Sequence, residues 1–246
     1  MKISCGMPRS RLLLAAGAVT IMMILAGCTG STGGSSSPPP AGSTTQPASA
    51  TYNLPASVKI LTVNNQAGTT QVTAASGAGQ IHVVQRPAGK PTAYRKTAGS
   101  AATIGARCPG GIHFGDCHMD YQIRLPPGTA LTVAGDAGHV ILHGGLTRAR
   151  VTTRAGQVSG TGLGRGSFTV ATQVGEVDLA FASAPARIKV TTDAGDIDVT
   201  VPGGASYQVT ASATVGDKDV TVPNDANAAN VIDLHAEVGH ISLHQG

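Results

Sequence analysis

The sequence predicts an all-β fold, a β-solenoid of the right-handed parallel β-helix kind with a less regular N-terminal part, on three observations. First, a short phrase (small residue, Gly, polar, aliphatic, any, aliphatic) recurs six times, its glycines stepping by 18 to 23 residues. Second, polar and apolar residues alternate with period two on both sides of each glycine, the pattern of half-buried strands. Third, aromatic residues make up 3% of the chain and Trp is absent, so the core must come from small and β-branched side chains that suit a narrow coil. Outside the first 27 residues no window has a convincing 3.6-residue period, and helix content is expected near zero.

Taken in order, residues 1–27 read as an export signal. Lys2, Arg9 and Arg11 precede a fifteen-residue apolar run, Leu12–Ala26, interrupted by Thr20 alone among polar side chains, a length short for a membrane span but ordinary for the core of a signal peptide. The run ends in Leu25-Ala26-Gly27-Cys28, and the segment resembles a bacterial lipoprotein signal peptide with its lipobox. That resemblance implies that Cys28 becomes the first mature residue and carries two or three acyl chains, palmitate among them. Several chains make a stable membrane anchor where one would not. It places the body at the cell membrane, on the extracytoplasmic face; the alternative is an uncleaved helical anchor with an ordinary cysteine. After Cys28, residues 29–50 contain only Thr, Gly, Ser, Pro, Ala and Gln, so 28–50 is expected to be an acylated cysteine and a flexible tether. Twenty-two such residues reach about 25 Å root-mean-square.

Residues 51–130 are expected to be an irregular β region, with a weak copy of the phrase at Ala78-Gly79-Gln80-Ile81-His82-Val83. Cys108 and Cys117 flank a Gly-rich loop there. An exported protein meets oxidising conditions, which favours a structural disulfide over reactive thiols or a metal site completed by His113 and His118.

Residues 131–246 hold the repeat itself. Its glycines are Gly138, Gly156, Gly175, Gly195, Gly216 and Gly239. Five positions before them stand Val133, Val151, Val170, Val190, Ala211 and Leu234; two after stand Val140, Val158, Val177, Ile197, Lys218 and Ile241. Each unit therefore reads as two short strands meeting at a glycine corner. A unit of about twenty residues cannot bury its own apolar face, so units must stack, with strands about 4.8 Å apart. Lys218 breaks its column: either a bulge turns it outward or it pairs internally with a carboxylate.

These Gly-(Asp/Glu/Gln/His)-(Val/Ile)-x-(Val/Leu) phrases, led in by Tyr121-Gln122-Ile123-Arg124-Leu125-Pro126, resemble the putative-adhesin domain family, a domain of unknown function. Such domains occur in bacterial surface proteins and are taken to be β-solenoids. The resemblance implies adhesion by analogy and transfers no catalytic residue.

Charge narrows the partners. The formal charge is +4, but +3 of it lies in residues 1–27, and the basic surplus of the remainder sits before Asp116. No basic stripe interleaved with aromatics is present, so nucleic acid is not an expected partner. The specific surface feature is acidic. Glu176, Asp196 and Asp217 follow their glycines by one, and Asp178, Asp198 and Asp219 by three. With rungs stacked in sequence order these six form one grid, about 4.8 Å between rungs and about 6.6 Å along a strand. A solvated face that keeps the sheet soluble is the first reading; a Ca²⁺ site shared between carboxylates, or a surface for a basic partner, are the others. His139/His143 and His240/His244 stand four apart on strands, about 13 Å, too far to share an ion.

Hydrolase, zinc-protease and phosphate-loop motifs are absent from the sequence. No catalytic residue and no cofactor is expected beyond that Ca²⁺ reading. The sequence thus points to a membrane-anchored lipoprotein, not an enzyme, displaying a solenoid to an unknown envelope protein or glycan. The alternatives are a Ca²⁺-dependent polysaccharide-acting enzyme on a β-helix and a purely structural envelope spacer.

Overall fold

The computed structural model describes residues 49–110 and 117–246. The signal, Cys28, nearly all of the tether and His113 lie outside the described residues. All regular structure among the described residues is β. The strands before the repeat are β1 (Ala50–Asn53), β2 (Ile60–Ala67), β3 (Thr70–Ala74), β4 (His82–Ala88), β5 (Thr92–Ala98), β6 (Ala101–Arg107) and β7 (His118–Leu125). The repeat contributes β8 (Ala130–Ala137), β9 (Val140–His143), β10 (Arg148–Ala155), β11 (Val158–Leu163), β12 (Ser167–Val174) and β13 (Val177–Phe181). It continues through β14 (Arg187–Ala194), β15 (Ile197–Val201), β16 (Tyr207–Val215), β17 (Lys218–Val220), β18 (Asn230–Val238) and β19 (Ile241–Gln245).

Two sheets enclose the core. One runs β16-β18-β14-β12-β10-β8-β2-β6-β5 and the other β1-β4-β7-β3-β9-β11-β13-β15-β19-β17. Pairing is parallel throughout except at β1, β4 and β5, which close one end as antiparallel strands. Each phrase glycine is the corner where a rung leaves the first sheet for the second. The predicted columns become ladders: Val133, Val151, Val170 and Val190 stack inward in register and are buried. Three before the glycine, Thr153, Thr172 and Thr192 form a buried small-residue column between them and the corner.

The corner explains why the column is glycine. Backbone φ there is +134° at Gly138 and lies between +126° and +148° at the other five, a region L side chains rarely adopt. The corners also touch: a Cβ on Gly156 would collide with the carbonyl oxygen of Gly138, one on Gly175 with that of Gly156, and one on Gly195 with that of Gly175.

Three sequence expectations need correction. The weak copy at residues 78–83 is not a rung; its residues lead into β4, which pairs antiparallel with β7 and β1. The additional rung is instead β2–Gly68–β3, whose strands pair in parallel register with β8 and β9. Its glycine follows Ala67 and precedes Thr69 and Thr70, so the phrase's aliphatic position is a buried threonine and the copy escapes an alignment on aliphatics.

The second correction concerns order. Rungs do not stack strictly in sequence, because the C-terminal rung β18–β19 inserts between β14–β15 and β16–β17. Interior size accounts for the exchange. The inserted rung brings Ile232, Leu234, Ile241 and Leu243 into the core, each fully buried. Apart from the buried Tyr207, the displaced rung offers the core only Val209, Ala211 and Ala213, half-buried, and it forms the end of the stack. Burying the larger aliphatics gains more, on the order of 0.8 kcal/mol per additional CH₂. The connection from β17 to β18 is long enough to make the detour and folds over the end. There Val222 is buried, Asn224 Oδ1 accepts a bond from Val209 N at 2.9 Å, and Asp225 N donates to Tyr207 O at 2.9 Å.

Third, Lys218 neither bulges outward nor pairs with an internal carboxylate. It keeps the inward register opposite Ile241, but at the end of the stack that position is open to water. Its ammonium donates to Ala211 O at 3.3 Å, occupying an acceptor on the unpaired edge of β16. A lysine there avoids the cost of a buried charge and blunts an edge strand.

Candidate functional site

The outward faces of the two sheets carry the candidate functional groups. On the second sheet, parallel register sets Asp178 beside Asp198, as the repeat predicts. Glu176 and Asp196 occupy the corner positions of the same two rungs, so four of the six acidic residues form one block. The rung exchange separates the other two: Ser242 lies beside Asp198 on one side and Asp219 on the other, and His240 stands in the corner column between Asp196 and Asp217. The continuous grid of six is therefore split four and two.

The block is partly committed to structure. Asp196 Oδ1 accepts the backbone N–H of His240 at 2.8 Å, fixing one corner to the next, and Glu176 Oε2 accepts a bond from Gln157 at 3.3 Å. Burial raises the Asp178 pKa above the ordinary carboxylate value, and the neighbouring Asp198 charge raises it further. Among the described residues no three His, Cys, Asp or Glu side chains converge where they could hold a metal ion. The histidines are each occupied locally or exposed: His143 Nδ1 bonds Thr161 at 2.8 Å, His244 Nδ1 bonds Thr221 at 3.4 Å, and His139 and His240 are exposed.

The opposite face carries cations that the phrase alignment passed over. Outside β10, β12 and β14, register places Arg148, Ser167 and Arg187 in one row and Arg150, Thr169 and Lys189 in the next. Columns eight and six before the glycine would have revealed this grid. Lys189 is bonded to Asp233 at 3.1 Å, whereas Arg148, Arg150 and Arg187 have no carboxylate partner among the described residues. Farther along β10, Arg154 is held by Asp136 at 2.7 Å. It borders an open groove that also involves Asn64, Gln66, Tyr94 and Arg107. In that groove Asn64 donates to the Tyr94 hydroxyl at 3.1 Å, and the Tyr94 ring lies against Gly105, where a Cβ would meet it at 2.6 Å.

Near the end of the stack, Ser212 Oγ lies 2.8 Å from His235 Nδ1, and His235 Nε2 lies 2.9 Å from Glu237 Oε1. The bond from His235, with a second from Thr214, holds the Glu237 pKa below its ordinary value. The line crosses from β16 to β18 on an open sheet face, so it ties two rungs together rather than lining a cleft.

Cys108 and Cys117 meet at the turn from β6 to β7, with Cα atoms 5.9 Å apart and sulfurs at bonding distance. The connection there is longer than the glycine corners of the other rungs. Cys108 N also donates to Gln66 Oε1 at 2.6 Å, docking this turn on the neighbouring rung.

This two-faced stack of glycine-cornered rungs has a known counterpart. The family described as Toastrack DUF4097 matches residues 56–244. The chain belongs to that family. Among solved structures, the Toastrack body is similar to a "putative cell adhesion protein" from Clostridium sporogenes. The two share 13% identity, with a TM-score of 0.51 over 82% of this chain and all of the other. It is also similar to a "putative adhesin" from Bacteroides fragilis, at 11% identity and a TM-score of 0.40 over 80% of this chain and 96% of the other. A third, a "putative adhesin" from Parabacteroides merdae, gives 7% identity and a TM-score of 0.30, with 82% and 97% covered. The Clostridium structure supports the fold alone. No curated protein matches the chain.

Proposed function

We propose that this Toastrack protein is a lipid-anchored surface protein whose solenoid serves as a binding platform at the cell envelope, without chemistry of its own. The observation that carries this reading is the pair of broad outer faces, on which side chains recur in straight rows at strand spacing. Regular rows suit an extended partner contacted at many weak points, as adhesion requires. The description of the Clostridium structure as a "putative cell adhesion protein" agrees with it.

On this reading Cys28 carries the acyl chains that hold the protein to the extracytoplasmic face of the membrane, and 29–50 is the tether. Cys108 and Cys117 form a disulfide that closes the Gly-rich connection from β6 to β7. The acidic block of the second sheet keeps that face solvated. The test compares wild type with Cys28→Ser in the native host, scoring membrane fractionation, antibody access on intact cells and attachment of cells to immobilised envelope material. Wild type is expected in the membrane fraction, reachable from outside, and to support attachment; Cys28→Ser moves to the medium or soluble fraction and attachment falls. Unchanged membrane retention of Cys28→Ser removes the lipid anchor, and wild-type attachment no greater than that of a deletion strain removes adhesion.

A further inference from the structure

We infer that the outer face of β10, β12 and β14 binds a linear polyanion of the phosphodiester class, laid along β12 between two walls of cations. The inference rests on the reading of the sheet faces as binding surfaces and names the partner of one of them. The floor is a pair of hydroxyls, Ser167 and Thr169, projecting outward from β12. Arg148 and Arg150 stand on one side, Arg187 and Lys189 on the other. The two walls are about 9.6 Å apart at the backbone, two strand spacings, and the rows follow each other at about 6.6 Å. A single chain fits in that width with its charges against guanidinium groups, which bond phosphate oxygens bidentately. The hydroxyls below donate to the same oxygens.

Two features favour a chain over an anionic lipid surface. Acidic residues frame the grid: Asp233 lies beside Lys189 on β18, while Asp136 on β8 and Asp193 on β14 stand farther along the strands. A plane of headgroups would press its charges against all three carboxylates, whereas a chain seated over Ser167 and Thr169 is flanked by Arg148, Arg150, Arg187 and Lys189 before it comes level with Asp193. The grid also lacks large apolar side chains for insertion; the exposed valines Val174, Val215 and Val238 sit at the glycine corner instead. The second sheet, carrying Asp178, Asp198 and Asp219 outward, repels the same polymer, so the protein engages it with one face.

The test uses the full-length chain in non-ionic detergent and a synthetic glycerol-phosphate oligomer as probe, titrated over a range of salt. Wild type is compared with the triple variant Arg148→Ser/Arg150→Ser/Arg187→Ser and with a charge-matched control, Arg86→Ser/Lys90→Ser/Arg124→Ser. The triple variant is expected to bind at least about tenfold more weakly, and its salt slope to fall by about 2, near 0.7 for each cation lost. The control should stay within about twofold of wild type, since counterion release counts only cations in contact with the polymer. No binding by wild type, equal binding by the triple variant, or equal losses in both variants overturns the inference. So does binding of phosphatidylglycerol in mixed micelles but not of the free oligomer, which would assign the face to lipid. Because these measurements are made on purified protein, they can fail while anchoring and attachment in cells stand, and the reverse.

Discussion

Substituting one corner glycine tests the architecture most directly, and Gly175→Ala is the sharpest choice. At φ of +147° an L residue is strained by about 1–3 kcal/mol. The new Cβ would also strike the carbonyl oxygen of Gly156, a backbone atom that cannot swing aside. Relief requires the two rungs to part locally. That stretches the bonds Gly156 N to Val174 O, 3.0 Å, and Val158 N to Glu176 O, 2.9 Å. At about 1 kcal/mol net for each of the two bonds weakened, the loss comes to about 3–5 kcal/mol. That is a large share of the roughly 5–15 kcal/mol by which a domain is stable. The matched control is Gly203→Ala, in an exposed turn where a Cβ meets nothing within 4 Å; it should change stability by less than about 1 kcal/mol. Urea unfolding followed by the β-sheet circular dichroism signal gives midpoint and slope for both. If Gly175→Ala unfolds within about 0.5 kcal/mol of Gly203→Ala, the corner is not the tight ladder described.

Four further outcomes follow from the same structure. Replacing Cys108 and Cys117 with Ser should lower stability by about 2–3 kcal/mol, as expected for opening a short closed loop, measured by the same unfolding assay. In Asp198→Asn the Asp178 pKa should fall toward its ordinary value yet stay above it, because burial is the larger cause of the rise; carboxyl-carbon NMR titration reads this. Raised in the folded state, that group favours folding when protonated, so Asp178→Asn should add stability above its folded pKa and lose the advantage as pH falls through the ordinary carboxylate range. Lys218→Ile should leave the fold intact but expose an aliphatic, unpaired end, producing concentration-dependent association by light scattering.

How far the sequence reached can be seen residue by residue. The columns at Val133, Val151, Val170 and Val190 named core positions correctly, because period two together with a Gly corner leaves one way to face a strand inward. The acidic pairs Glu176/Asp178 and Asp196/Asp198 came out as neighbours for the same reason. The Gly68 rung was hidden because a buried threonine replaced the aliphatic that the phrase demands, and the arginine grid because the columns were read too close to the glycine.

Local pattern therefore determined the rung: two strands, the turn between them and which side chains point in. It did not determine the order of rungs. Any rung of this phrase presents nearly the same ladder of N–H and C=O groups to any other, so backbone pairing barely discriminates between neighbours. Discrimination came from interior volume and from the stack having an end. Ile232, Leu234, Ile241 and Leu243 gain most where they are covered on both sides, while Lys218 is tolerated only where one side is water. That preference is a property of the assembled stack, and it alone set His240 and Ser242 between Asp196/Asp198 and Asp217/Asp219.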